Sequence, residues 1–275
     1  MEKRRVLYVT QEMNPYMGEE SSISKMCRDL PQKVLESGFE IRNFMPRFGC
    51  INERRHQLHE VIRLSGMNLV VNDSDQPLII KVASIPVAKM QVYFIDNEEY
   101  FKRKHTLSDD DGNFFTDNDE RAIFFARGVL ETVKKLGWIP DIIHCHGWMS
   151  SLVPVYLKTA LKEDPIYQHA KVVMSVYNCD TFPGTLDQDF ARKVLWQDMI
   201  QEDYTPEGYT YPDILKAGLR YVDAVVSPGG EVCSEVRTFI EREKIRVLEL
   251  DEESDYVADT VALYEELLEE SVLAH

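Results

Sequence analysis

His144 and His146 stand two residues apart in the run Ile142-Ile143-His144-Cys145-His146-Gly147-Trp148, with Trp148 following after a single glycine. Imidazoles hydrogen-bond and an indole offers a flat apolar face, so the group suits a polar ring with an apolar side, such as a sugar. Asp141 to Cys145 is short, apolar at Ile142 and Ile143, and bounded by Pro140 and Gly147, which reads as a buried strand. From Ser150 onward, Leu152, Val153, Tyr156 and Leu157 have helical spacing. A strand turning into a helix puts its last residues at the sheet edge where open α/β folds bind ligands. The competing reading makes His144 a core histidine and Trp148 a packing residue, and the residues alone leave both open.

The elements that must position this turn recur along the chain. Val6 to Thr10 reads as a buried strand, followed by a loop with one glycine, Gly18, and a helix from about Ser22 to Ser37. Gly18 is followed by Glu19 and Glu20, carboxylates that repel a phosphate, so this loop makes a poor phosphate cradle. Phe39 to Met45 is a second strand. Leu78 to Ala83 and Gln91 to Asp96 read as a hairpin or meander. Thr116 or Asp117 is expected to cap a helix from Asp119 to Leu136. Strands follow at Lys171 to Val176, Ala224 to Ser227 and Ile245 to Leu250, with helices at Ile214 to Leu219, Glu231 to Glu243 and Tyr256 to Leu268. Alternating strands and helices predict an α/β fold: one doubly wound, Rossmann-like, mostly parallel sheet, a single domain over residues 1–275.

Composition removes several functions. The chain is 275 residues long with a net charge of −16, so nucleic acid and anionic membranes are unsuitable partners. Between Glu241 and Glu270 three Arg/Lys face twelve Asp/Glu, which reads as a solvated helix face. The acidic run at Asp109-Asp110-Asp111-Gly112 is not a calcium loop. With Gly112 at the sixth position, Leu107 and Asn118 fall where carboxylates are required. Five scattered cysteines without a C-x-x-C pair fit free thiols rather than a zinc site or disulfide framework. With no signal-peptide pattern and no apolar run near ~20 residues, the expected location is cytoplasmic.

Several stretches together resemble the bacterial glycogen and plant starch synthases, retaining glucosyltransferases that use ADP-glucose. They are Thr10-Gln11-Glu12-Met13-Asn14-Pro15, Phe44-Met45-Pro46-Arg47-Phe48-Gly49, Asp117-Asn118-Asp119-Glu120-Arg121, Pro140 to Trp148, and Leu215-Lys216-Ala217-Gly218 ahead of Val226-Ser227-Pro228. The resemblance implies the N-terminal, acceptor-side half of a GT-B glycosyltransferase, without the C-terminal nucleotide-sugar domain. It implies His146 as the catalytic group. As substrate-binding residues it implies Asp117, Asn118, Glu120, Arg121, His144, Trp148, Tyr177 and Asn178. No metal and no cofactor are implied.

Departures fall on the donor side. The family's K-T-G-G-L loop is Gly18-Glu19-Glu20-Ser21-Ser22 here, its H-x-H-D-W-H is His144-Cys145-His146-Gly147-Trp148-Met149, and its T-x-H-N is Ser175-Val176-Tyr177-Asn178. The resemblance therefore implies a glucosyltransferase domain acting on an α-1,4-glucan or malto-oligosaccharide, incomplete by itself, with weak ADP-glucose binding. The rival readings are a glucan-binding or regulatory module that partners another glycosyltransferase chain, and an oligomerising domain that pairs with its own copies.

Overall fold

The computed structural model describes residues 3–18, 20–178, 182, 184–194, 208–229, 232–251 and 253–273. In chain order they form β1 (Arg5–Thr10), α1 (Ser22–Glu36), β2 (Glu40–Pro46), α2 (Glu53–His56), β3 (His59–Glu60), β4 (Met67–Val71), β5 (Ser74–Ile85), β6 (Met90–Asp96) and α3 (Glu98–Phe101). Then follow α4 (Asn118–Leu136), β7 (Ile142–His146), α5 (Leu152–Lys158), β8 (Lys171–Ser175), α6 (Phe190–Val194), α7 (Tyr211–Leu219), β9 (Ala224–Ser227), α8 (Ser234–Glu243), β10 (Val247–Glu249) and α9 (Tyr256–Leu273).

The sheet runs β10-β9-β8-β7-β1-β2-β6-β5-β3, with β4 paired to β5. From β10 to β6 every pairing is parallel, as the alternation of strands and helices requires. The β5–β6 pair is antiparallel, so the expected hairpin is present. β1 lies between β2 and β7, and the winding reverses there, which opens a crevice at the strand C-termini. Register sets Thr10 beside His146 and His146 beside Ser175. Among the described residues no helix is long and apolar enough to cross a membrane.

Both sheet faces are covered. On one, α4 and α5 pack against each other and α5 against α7. On the other, Leu30 and Val34 of α1 join Leu263, Tyr264 and Leu267 of α9 over Val6, Ile142, Val173 and Val226. The last helix thus packs back onto the sheet, as its apolar spacing predicts.

Some boundaries differ from expectation. β7 extends to His146, and a short 3-10 turn, Trp148–Ser150, precedes α5. The strand β4 was not anticipated, although Asn72 and Asp73 both adopt left-handed backbone (φ 47° and 60°), the geometry of a two-residue hairpin turn. Asp117 is the α4 N-cap residue but makes no side-chain cap bond, because its carboxylate pairs with Arg103. The expected strand end at Cys179-Asp180, parts of the excursion from Thr181 to Pro212, and the expected helix start at Glu231 lie outside the described residues.

Gly147 makes the turn at the end of β7 with φ 81° and ψ 163°, a region nearly exclusive to glycine. A Cβ there would sit 2.3 Å from Gln11 Oε1. The resembled family has aspartate at this position. Gly147→Asp is expected to destabilise the protein by about 1–3 kcal/mol in urea unfolding, and an unchanged midpoint would contradict this turn geometry.

Candidate functional site

β7 delivers two imidazoles to the sheet centre, and both are fully buried. Their ring centroids are 4.1 Å apart. His144 is held on both sides, with Nδ1 2.6 Å from the Tyr264 hydroxyl and Nε2 2.8 Å from Ser175 Oγ. His146 is held on one side only. Its Nδ1 is 2.8 Å from the Tyr177 hydroxyl, and its Nε2 has no hydrogen-bond partner among the described residues. Burial pushes the His146 pKa down to about 3. Burial, with the neighbouring His146, holds His144 well below the usual histidine range. Both rings are therefore neutral at pH 7, able to donate or accept a hydrogen bond but not to carry charge.

Trp148 is also buried, at 1% exposure, with its ring edge-on to Phe182 at 4.8 Å. The indole is therefore covered rather than open to solvent. A small recess of about 30 Å³ remains beside it, lined by Gln11, Glu12, Phe48, Thr106 and Leu107. Among the described residues the indole Nε1 and the Gln11 Oε1 are buried without partners. Tyr177 is buried while Asn178, next in the chain, is exposed. His146 and Tyr177 are thus brought together directly, Trp148 lies one turn beyond, and Asn178 is at the surface.

The Asp117 to Arg121 cluster forms a bracket. Arg121 is fully buried, donating from Nε to Tyr100 O at 2.7 Å and from Nη1 to Thr106 O at 2.7 Å. It also donates to Asn118 Oδ1, and Asn118 in turn donates to Leu107 O at 2.8 Å. Burial lowers the Arg121 pKa to about 10, so the guanidinium stays charged. Asp117 pairs with Arg103, and Glu120 accepts from Tyr100, Asn72 and Lys193. These side chains already have partners, so they do not present a row of free ligand groups. Arg121 and Asn118 thereby hold the Thr106 and Leu107 carbonyls, on two walls of the recess beside Trp148.

At the loop after β1, Glu20 accepts from Asn14 at 3.1 Å. Ser21 caps α1 and donates to the Glu12 carboxylate, whose pKa burial raises. Glu19 lies outside the described residues. Sequence reasoning missed Tyr264, Ser175 and Gln11. Tyr264 could be recognised as a buried helix position from its spacing, but nothing in the sequence ties it to His144. Among the described residues no cluster of His, Cys, Asp and Glu is arranged to hold a metal ion.

A neutral buried histidine has a consequence for stability. Below pH 6.5 the unfolded chain protonates His146 and the folded chain does not until about pH 3. Stability therefore falls as pH falls through that window, by about 1.4 kcal/mol per pH unit for this residue. Urea unfolding at pH 6 and pH 4.5 should show His146→Gln losing about 2 kcal/mol less than the wild type over that interval. Equal losses would contradict the buried neutral state.

The family described as starch synthase catalytic domain matches residues 5–246. A glycogen synthase of Chlorobium limicola is 36% identical over 237 residues, covering 82% of this chain and 48% of that protein. One from Chlorobium luteolum is 42% identical over 175 residues, covering 63% of this chain and 36% of that protein. The chain spans about half the length of the curated relatives it matches, or less. The catalytic domain of starch synthase IV from Arabidopsis thaliana, solved with ADP and acarbose, superposes with a TM-score of 0.72 at 17% identity, covering 90% of this chain and 51% of that one. That likeness establishes the fold, and the 242-residue match from 5 to 246 establishes the lineage: the chain belongs to the starch synthase catalytic-domain family.

Proposed function

We propose that this chain is the acceptor-side domain of a starch/glycogen-synthase-type glucosyltransferase. It holds an α-1,4-glucan end for transfer of glucose from ADP-glucose. The observation that supports this most is the unpartnered His146 Nε2 at the C-terminal end of β7, in a chain of this family. A neutral imidazole there hydrogen-bonds a sugar oxygen without adding charge to the site. Because His146 and Trp148 are covered, binding requires a local shift of the residues over the recess. Asn118 and Arg121 support that wall, Asp117 and Glu120 lie beside them at the start of α4, His144 neighbours His146, and Tyr177 and Asn178 form the neighbouring edge.

The donor side supports a division of labour. Transfer from a nucleotide sugar needs cationic groups on the leaving diphosphate. The loop after β1 has Gly18-Glu19-Glu20-Ser21-Ser22 where the family has its lysine and glycines. ADP-glucose therefore binds this domain weakly, and its diphosphate is held by groups outside this domain. The same carboxylates favour a second reading, a non-catalytic glucan-binding or regulatory module. Incorporation of label from ADP-glucose into glycogen separates the two.

Calorimetric titration tests the shared core of both readings. Malto-oligosaccharide should give saturable binding and ADP-glucose binding at least tenfold weaker. Glu20→Gln should strengthen ADP-glucose binding about fivefold, the size of one water-screened like-charge contact. Tight ADP-glucose binding without glucan binding would overturn the proposal.

A further inference from the structure

Gln11, the residue after β1, is pinned to the end of β7 by its backbone N–H, which donates to His146 O at 3.2 Å. Its side chain lies against Gly147. A Cβ at residue 147 would meet Gln11 Oε1 at 2.3 Å, Cδ at 2.5 Å and Cγ at 2.6 Å. The Gln11 amide therefore fills the room that any side chain at 147 would need. The resembled family has aspartate at that position in its H-x-H-D-W-H run, so a neutral amide stands here at a corner that the family pattern gives to a carboxylate.

This amide is one of two unsatisfied groups beside the same recess. Gln11 Oε1 is an acceptor, Trp148 Nε1 is a donor, and among the described residues neither has a partner. The two side chains are 7% and 1% exposed. Both residues line the recess of about 30 Å³, together with the buried apolar side chains of Phe48 and Met149. Glu12 and Leu107, also on its lining, are half-buried, so the recess nears solvent on their side.

Each unpaired buried group carries a desolvation cost, which favours an occupant that satisfies both. A hydroxyl does so through one oxygen, accepting from the indole N–H and donating its own proton to the amide oxygen. An ammonium has no lone pair for the indole. A carboxylate or phosphate has no proton for the amide oxygen and would be repelled by Glu12. Size narrows the choice further, because about 30 Å³ has room for roughly two water-sized atoms. A ring hydroxyl could insert only its oxygen, since its carbon carries two further ring bonds. A hydroxymethyl inserts a carbon and an oxygen, and the carbon meets Phe48 and Met149. Water offers the same two hydrogen bonds but nothing to that apolar lining.

We propose that Gln11 and Trp148 form a subsite for one neutral hydroxymethyl group of the ligand. The alcohol oxygen accepts from Trp148 Nε1 and donates to Gln11 Oε1. This deepens the proposed function and rests on it for the sugar that carries the group, since each glucose unit of a glucan bears one such arm. The subsite selects a hexose over a pentose.

Three glycosides that differ only in this arm test it: methyl α-glucoside, its 6-deoxy analogue, and methyl α-xyloside. Each is titrated into the 15N-labelled full chain while the Trp148 indole N–H is followed by NMR. The glucoside should shift that signal saturably, and the other two should bind at least about tenfold more weakly. Gln11→Met keeps the size and removes the acceptor, so it should bring the glucoside to the level of its 6-deoxy analogue. Equal affinity of the wild type for glucoside and xyloside overturns the subsite and leaves sugar binding standing. Binding of no glycoside overturns the sugar reading instead, and ethylene glycol, which carries the same CH₂OH without a ring, then decides the subsite. An indole shift present in the wild type and absent in Gln11→Met upholds it, whereas a signal unmoved, or moved equally in both, overturns it.

Discussion

The hydrogen bond between Tyr264 and His144 joins the last helix to the centre of the sheet, and much of the arrangement depends on it. Two imidazoles stack 4.1 Å apart in a fully buried layer, where a positive charge on either would be unpaired. The fold tolerates them because they are neutral and nearly every nitrogen is matched. A stranded buried polar group costs about 1–3 kcal/mol, comparable with a sizeable part of the stability of a domain. α9 contributes both the hydroxyl and the apolar cover of Leu263 and Leu267 over β1, β7, β8 and β9. Covering that face and fixing His144 are therefore one task for one helix, and among the described residues the nitrogen of the pair left over is the Nε2 of His146.

On the other side of the site, rigidity comes from a buried guanidinium. Arg121 is surrounded by the rings of Phe48, Phe101 and Phe115 at 5.4–5.6 Å. It donates from Nε and Nη1 to the Tyr100 and Thr106 carbonyls and to Asn118 Oδ1, while its Nη2 has no partner among the described residues. A planar cation with several fixed donors can tie a loop to a helix start in a way that lysine cannot. The carboxylates around it are likewise paired with Arg103 and Lys193. A chain of net charge −16 thus keeps its cations here for structural work. The loop after β1, where a phosphate would need them, presents carboxylates.

Much of the fold was legible because buried parallel strands announce themselves. Val6 to Val9 and Ile142 to Ile143 have no polar side to show, and helices with apolar stripes separate them. The hairpin at β5 and β6 was readable for the same reason, whereas β4 was hidden behind a turn signature, Asn72-Asp73, that alternation alone does not reveal. The placement of the His144 to Trp148 run at the end of a buried strand was legible, but its exposure was not. An indole between a strand and a helix can face solvent or core with the same sequence pattern, and Phe182, which covers Trp148, lies far along the chain. His144 proved to be the core histidine of the competing reading. Tyr264 is 120 residues from its partner, and no local spacing encodes such a contact. The pairing of Asp117 with Arg103 and of Glu120 with Lys193 was not legible, because charged residues look alike in sequence whether they meet a ligand or one another.

For the proposed function to hold, a glucan must engage the end of β7. Following the side-chain signals of His146 and the Trp148 indole N–H by NMR during titration with malto-oligosaccharide measures that contact at the residues concerned. Both signals should shift together and saturate at one ligand concentration, while those of His59 and His169, far along the chain from β7, stay in place. Saturable glucan binding that leaves His146 and Trp148 unmoved, or no binding at all, would contradict it.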